Sequence, residues 1–203
     1  MDVKIKQLRK KDFDKARKFA IYGMNWNWYT SNQLELYLYS KYFWYLEISK
    51  ATKALGAYVN NELVGVLLVD MENQSKIFSS IWYNIFIKIS TFVINFGYKD
   101  ASSTYDNANI ELLEEFKINN KIDGEINFFA VDPTIKGKGI GSLLLNELEK
   151  QEKNKLIYLY TDSGSTYQFY LHRGFTQFGA KDIILEIDNK NVPLTCFLFS
   201  KRL

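Results

Sequence analysis

Between two apolar stretches the chain reads Val131-Asp132-Pro133-Thr134-Ile135-Lys136-Gly137-Lys138-Gly139-Ile140-Gly141-Ser142, with glycine at three alternate positions. The residues before it form an apolar strand, and those after it carry Ile140, Leu144, Leu145 and Leu148 at helical spacing. Glycines placed this way let the backbone turn sharply and leave its N–H groups bare, where the positive end of the following helix adds to them. That arrangement cradles a phosphate, and Lys136 and Lys138 add long-range attraction for an anion. A Walker A loop is excluded because no lysine follows Gly141, and a G-x-G-x-x-G dinucleotide turn fails because its third glycine would fall on Leu144. The same glycines also permit close helix packing with no ligand.

The rest of the chain mixes strands and helices without strict alternation, an α+β or mixed-sheet pattern. A first strand spans 3–8 and a helix 11–24. A second helix capped by Thr30 or Ser31 runs to about Ser49, with Leu34, Leu38, Tyr42, Tyr45 and Leu46 as its apolar stripe. Strands at 51–59 and 63–70 join through Asn60-Asn61. After the glycine turn and its helix come a strand at 156–161, a short helix at 165–173 with Gly174 as left-handed terminator, and strands at 178–187 and 192–200. The stretch 71–122 interrupts this rhythm as a helical insertion. It contains an apolar run at 77–97 whose only charge is Lys88, then an amphipathic helix at 107–119. The run is barely long enough to span a bilayer, and a central lysine opposes insertion by about 2.5–3.5 kcal/mol. A helical insert packed on the domain is the preferred reading, with a lid over a ligand site and a membrane anchor as the other two.

The 203 residues suit one domain, 1–203, carrying that insertion. A net charge of +3, with arginine only at positions 9, 17, 173 and 202, argues against nucleic acid as the main partner. The lone Cys196 and the absence of an apolar signal core at the start point to the cytoplasm. With one histidine, His172, and one cysteine, no His/Cys metal site is expected.

The spacing V-x-P-x-x-[basic]-x-x-G-x-G resembles the acetyl-CoA signature of the GCN5-related N-acetyltransferase (GNAT) superfamily, with Lys136 where Arg or Gln is commoner. A second segment, Tyr158-Leu159-Tyr160-Thr161-Asp162-Ser163 through Phe169-Tyr170-Leu171-His172-Arg173-Gly174-Phe175, resembles the family's other signature, in the right order. The likeness covers 123–200 by motif and the first 70 residues by element order. Ser163 and Thr166 stand where the family often has Asn and Ala, and the insertion at 71–122 replaces a short turn before the fourth strand.

The resemblance implies a central mixed, largely antiparallel sheet flanked by helices. It also implies an acetyl-CoA-dependent N-acetyltransferase acting on an unidentified amine acceptor. The strand carrying Phe129, Ala130 and Val131 would splay from the next and pair with the pantetheine arm. The pyrophosphate would rest on the amides of Gly137, Lys138, Gly139, Ile140, Gly141 and Ser142, and Ser163 would touch the cofactor arm. Tyr170 matches the family's general acid, the favoured reading; the alternative is an aromatic core residue beside Phe169. Glu125 matches a glutamate that some members use as base, and its offset of six from Val131 puts both side chains on one strand face. The alternative is a solvated strand-start carboxylate. Asp123 is a weaker candidate, since Asp-Gly is an ordinary turn pair. Asp162 would hold a cationic amine or, the favoured reading, cap the helix near Ser165, and His172 reads as a surface residue at a helix end. Trp26, Trp28 and Tyr29, between the first two helices, could form an acceptor wall or pack in the core, and the insertion's Phe78, Trp82, Tyr83 and Phe86 could join that wall. A CoA-binding module without catalysis is the rival from another class.

Overall fold

The structure is a computed structural model and describes residues 2–24, 26, 32–97, 101–135, 137–187 and 190–203. Seven strands form one sheet: β1 (Lys4–Gln7), β2 (Lys53–Val59), β3 (Glu62–Met71), β4 (Gly124–Val131), β5 (Leu156–Asp162), β6 (Thr176–Ile187) and β7 (Lys190–Arg202). Their order is β1-β2-β3-β4-β5-β7-β6, and every pair is antiparallel except β4 with β5. The β2–β3 hairpin closes on Asn60 and Asn61, both at positive φ (47° and 66°), as a two-residue turn requires when it must match strand twist.

Helices α1 (Phe13–Gly23) and α2 (Gln33–Lys50) cover one face of β1–β4 with a core of Phe13, Phe19, Trp44, Ile48, Leu68 and Phe128. Helix α5 (Ile140–Gln151) and the short α6 (Gln168–His172) cover the opposite face, where Ile140, Leu144, Leu145 and Leu148 meet Leu67, Val69, Ile157 and Phe199. The predicted stripe of α5 is therefore its buried stripe. Gly65 lets the helix come close: a Cβ there would sit 2.9 Å from Ile140.

The insertion is two helices, α3 (Ile81–Gly97) and α4 (Ala101–Asn119), between β3 and β4. Helix α4 lies on β6 and β7 on the same side as α2, burying Ala108, Leu112 and Phe116 against Cys196 and Leu198. Helix α3 rests on α2, where Tyr83 stacks on Tyr45 at 4.5 Å, and it turns Trp82, Ile85, Ile89 and Phe92 outward. Among the described residues no helix is long and apolar enough to cross a membrane.

Two expectations for α2 are corrected. Its cap is Asn32, whose side chain accepts from the amides of Leu34 and Glu35. Its buried residues are Leu36, Ser40, Trp44, Glu47 and Ile48, while Leu34 and Leu38 are exposed. Apolar and aromatic residues surround this helix, so period alone could not choose a face. The face that is buried holds two polar groups with partners: Ser40 accepts from Arg17 at 2.6 Å, and Glu47 from Asn127 at 2.8 Å.

Candidate active site

The site follows from how β4 and β5 separate. They pair only at Gly124–Ile157 and Glu125–Tyr158. Asp123 clamps them there: its N–H donates to the Leu156 carbonyl (2.8 Å), its Oδ2 accepts the Leu156 N–H (2.8 Å), and Lys155 lies 3.2 Å from Oδ1. That fills the Asp123 side chain with structural work. The Leu156 amide in particular holds its carboxyl below the usual carboxylate range. Beyond the clamp, 126–131 pair with β3 on one edge and with no strand on the other, among the described residues. Phe129, Ala130 and Val131 thus stand at an open backbone edge.

At the far end of that edge lies the glycine turn. Asp132 steadies its entry by accepting from the Thr134 amide (3.0 Å) and hydroxyl (2.7 Å). Gly137 and Gly139 adopt positive φ (81° and 73°), and a Cβ at either would meet nothing within 4 Å, so the turn faces open space. Gly139 is the N-cap of α5 and its carbonyl accepts from Leu143. The amides of Ile140, Gly141 and Ser142 precede that first intrahelical bond and have no helical acceptor. Lys138 is exposed beside them, and Lys136 lies outside the described residues. Gly141 has a packing role: a Cβ there would stand 3.0 Å from Phe169 and 3.3 Å from Phe129.

Through Phe129 and Phe169 the turn is in contact with Tyr170. Its ring lies among Phe129, Phe169, Phe175 and Phe199, with centroids 5.5–6.2 Å away. Its hydroxyl has no hydrogen-bond partner among the described residues, and burial raises its pKa, so it stays protonated at neutral pH. Gly174, at φ +78°, ends α6 as expected.

Glu125 lies on the other face of the sheet. The even-offset argument fails because β4 bulges: Val69 pairs with Ile126 and Leu68 with Phe128, leaving Asn127 as an extra residue. The bulge reverses the alternation, so Val131 packs toward α5, while Asn127, next along from Glu125, bonds to Glu47 on α2. Glu125 Oε2 accepts from the Tyr158 hydroxyl at 2.9 Å. Burial is the main force raising its pKa, with Glu47 and Asp70 adding to it, while Tyr158 opposes. It opens onto a cavity of about 460 Å³ that also takes in Asp70, Glu72, Lys76, Lys117 and Tyr158.

The weaker candidates take other places. Trp26 is core: it is buried and meets Tyr39 and Phe43 edge to face at 5.1 and 5.0 Å, which removes it from an acceptor wall. Trp28 and Tyr29 lie outside the described residues. Both oxygens of Asp162 are engaged, Oδ1 by the Gly164 amide (2.9 Å) and Oδ2 by the Tyr105 hydroxyl (3.1 Å). Asp162 thus closes the turn after β5 rather than capping a helix, since α6 begins only at Gln168. Ser163 Oγ accepts from the Thr195 amide (3.0 Å), which leaves its own proton to donate outward. Of the insertion's aromatics, Phe78 joins the core and Trp82 is exposed. Sequence reasoning missed Glu47, Asn127, Tyr158 and Tyr105. Only Tyr158 left a signal, as a tyrosine at the start of a strand neighbouring Glu125.

An open strand edge thus leads from bare amides at a helix start to a protonated phenol on one face of the sheet and a buried carboxylate on the other. A model of the acetyltransferase (GNAT) family matches residues 18–175. The chain belongs to this family. Solved structures with the family's fold align along nearly the whole length. A histone acetyltransferase HPA2 and related acetyltransferase from Corynebacterium glutamicum is 18% identical, with 98% of this chain and 96% of that one covered and a TM-score of 0.58. The Drosophila melanogaster polyamine N-acetyltransferase, which forms N-acetylagmatine, is 12% identical over all of both chains, with a TM-score of 0.59. The PaiA N-acetyltransferase from Thermoplasma acidophilum, solved with coenzyme A, is 16% identical over all of both chains, with a TM-score of 0.53. No protein of curated function matches the sequence. The mixed, largely antiparallel sheet with flanking helices is that of the GNAT fold.

Proposed function

We propose that residues 1–203 form one acetyltransferase domain. In this reading it transfers the acetyl group of acetyl-CoA directly to a primary amine of a small molecule or polypeptide, in a ternary complex in the cytoplasm. The observation that carries the reading is the splay itself. The β4 edge opens immediately past the Glu125–Tyr158 pair and runs to the glycine turn, with Tyr170 and Glu125 on opposite faces of the sheet.

Acetyl-CoA supplies the thioester carbon; the chain supplies position and proton traffic. Amides at 137–142 bind the diphosphate, the open edge of β4 aligns the arm, and an N–H of that edge polarises the thioester carbonyl. The C–S bond breaks as the C–N bond forms. Glu125, directly or through water in its cavity, takes the amine proton, and Tyr170 gives its proton to the departing sulfur.

The test is thiol release over a panel of amines with wild type, Tyr170→Phe and Glu125→Gln. Loss of a general acid or base should lower kcat by about 10²–10⁴-fold with the KM for acetyl-CoA little changed. Turnover unaltered in Tyr170→Phe would remove the acid role. Coenzyme A binding with no turnover on any amine would favour a binding module instead.

A further inference from the structure

A second cavity, of about 250 Å³, lies away from the splay, between the start of α1, the middle of α2 and the start of α3. Its lining carries four cations, Lys10, Lys11, Arg17 and Lys41, against one carboxylate, Asp14. Asp14 is already paired with Arg17 at 3.4 Å, and Arg17 also donates to Ser40. Lys10, Lys11 and Lys41 have no carboxylate within ion-pair distance among the described residues; Lys10 and Lys41 sit over the faces of aromatic rings instead. Three unpaired ammonium side chains lining one hollow make it attractive to an anion.

The wall holds an independent mark. Trp44 lines the cavity, is 1% exposed, and its indole N–H is buried with no hydrogen-bond acceptor. A buried donor left unpaired costs about 1–3 kcal/mol, so an acceptor brought within its reach would be stabilised. The remaining walls are aromatic, Phe13 and the stacked pair Tyr45 and Tyr83, and they lower the local dielectric around the charges. The start of α1 adds the positive end of its dipole.

We infer that this pocket binds a compact, doubly charged oxyanion: phosphate, or the phosphate head of a small monoester. The volume is below that of pockets for drug-sized ligands, about 300–1,000 Å³, and the surplus of three positive charges favours a dianion over a monocarboxylate. Nothing in the acetyl-transfer reading uses this pocket, so each stands or falls alone.

Calorimetric titration tests it, with inorganic phosphate, glycerol phosphate and acetate as separate arms at constant ionic strength. With coenzyme A at saturation to fill the glycine turn, one phosphate per chain should bind saturably, and acetate should bind at least tenfold more weakly. Tighter binding of glycerol phosphate than of free phosphate would identify a monoester as the occupant, and the reverse would identify the free ion. The double variant Lys10→Gln/Lys41→Gln should lose at least tenfold in phosphate affinity and Trp44→Phe several-fold; melting midpoints without ligand check that each variant is folded. Lys11→Gln alone should give an intermediate loss. A response that never saturates, or that survives the double variant, overturns the inference. So does one abolished when coenzyme A saturates the glycine turn, which would put the ion there.

Discussion

In the proposed mechanism the Glu125 carboxyl serves activity at the expense of stability. Burial lifts its pKa above that of the same group in the unfolded chain, so the native state holds this proton more readily. Its contribution to stability is therefore most favourable in acid and falls away as pH rises through the folded pKa. Glu125→Gln, neutral throughout, should melt higher than wild type at pH 7–8, with the gap closing toward pH 4; melting curves across that range read it directly. The Tyr158 hydrogen bond pulls the other way, so Tyr158→Phe should raise the Glu125 pKa further and move the acidic limb of kcat/KM to higher pH. A limb that stays put would remove Glu125 as the base. The residue type and position were legible in the sequence, but its face was not. A bulge at Asn127 adds one residue on one strand only, and no periodicity within β4 announces it.

At the scale of elements, the two glycines that flank the start of α5 do different jobs, and substitution separates them. Gly139 has a left-handed backbone and open space, so Gly139→Ala meets strain of about 1–2 kcal/mol and no clash. The chain should relax by turning the cradle amides, seen as a rise in the KM for acetyl-CoA with kcat nearly kept. Gly141 has crowding instead of strain, since its Cβ would press on Phe169 and Phe129. Gly141→Ala should displace the rings around Tyr170 and lower kcat. Identical profiles for the two would contradict this division. The turn was readable in advance because backbone chemistry ties spacing to shape. The buried face of α2 was not, because Arg17 and Asn127, far away in sequence, decide that Ser40 and Glu47 can be inside.

Across the whole molecule, the insertion is tied to the sheet by interactions that reach both ends of the β5–β7–β6 half. Helix α4 inserts Leu112 over Gly179 in β6, where a Cβ would come within 2.8 Å of the leucine, so the strand glycine exists to admit the helix. Lys181 of β6 pairs with Glu111 and Glu115, and Tyr105 donates to Asp162 at the tip of β5, beside the splay. Leu112 is 1% exposed, and its truncation leaves a hole among Phe116, Cys196 and Leu198. Leu112→Ala should cost about 2–5 kcal/mol, which for a chain of this size lowers the melting midpoint by about 5–15 °C. The transition should remain single, because the same residues that hold α4 also form the outer core of β5, β6 and β7. If α4 were an appendage, calorimetry of Leu112→Ala would instead show a separate low-temperature step with the main transition unmoved.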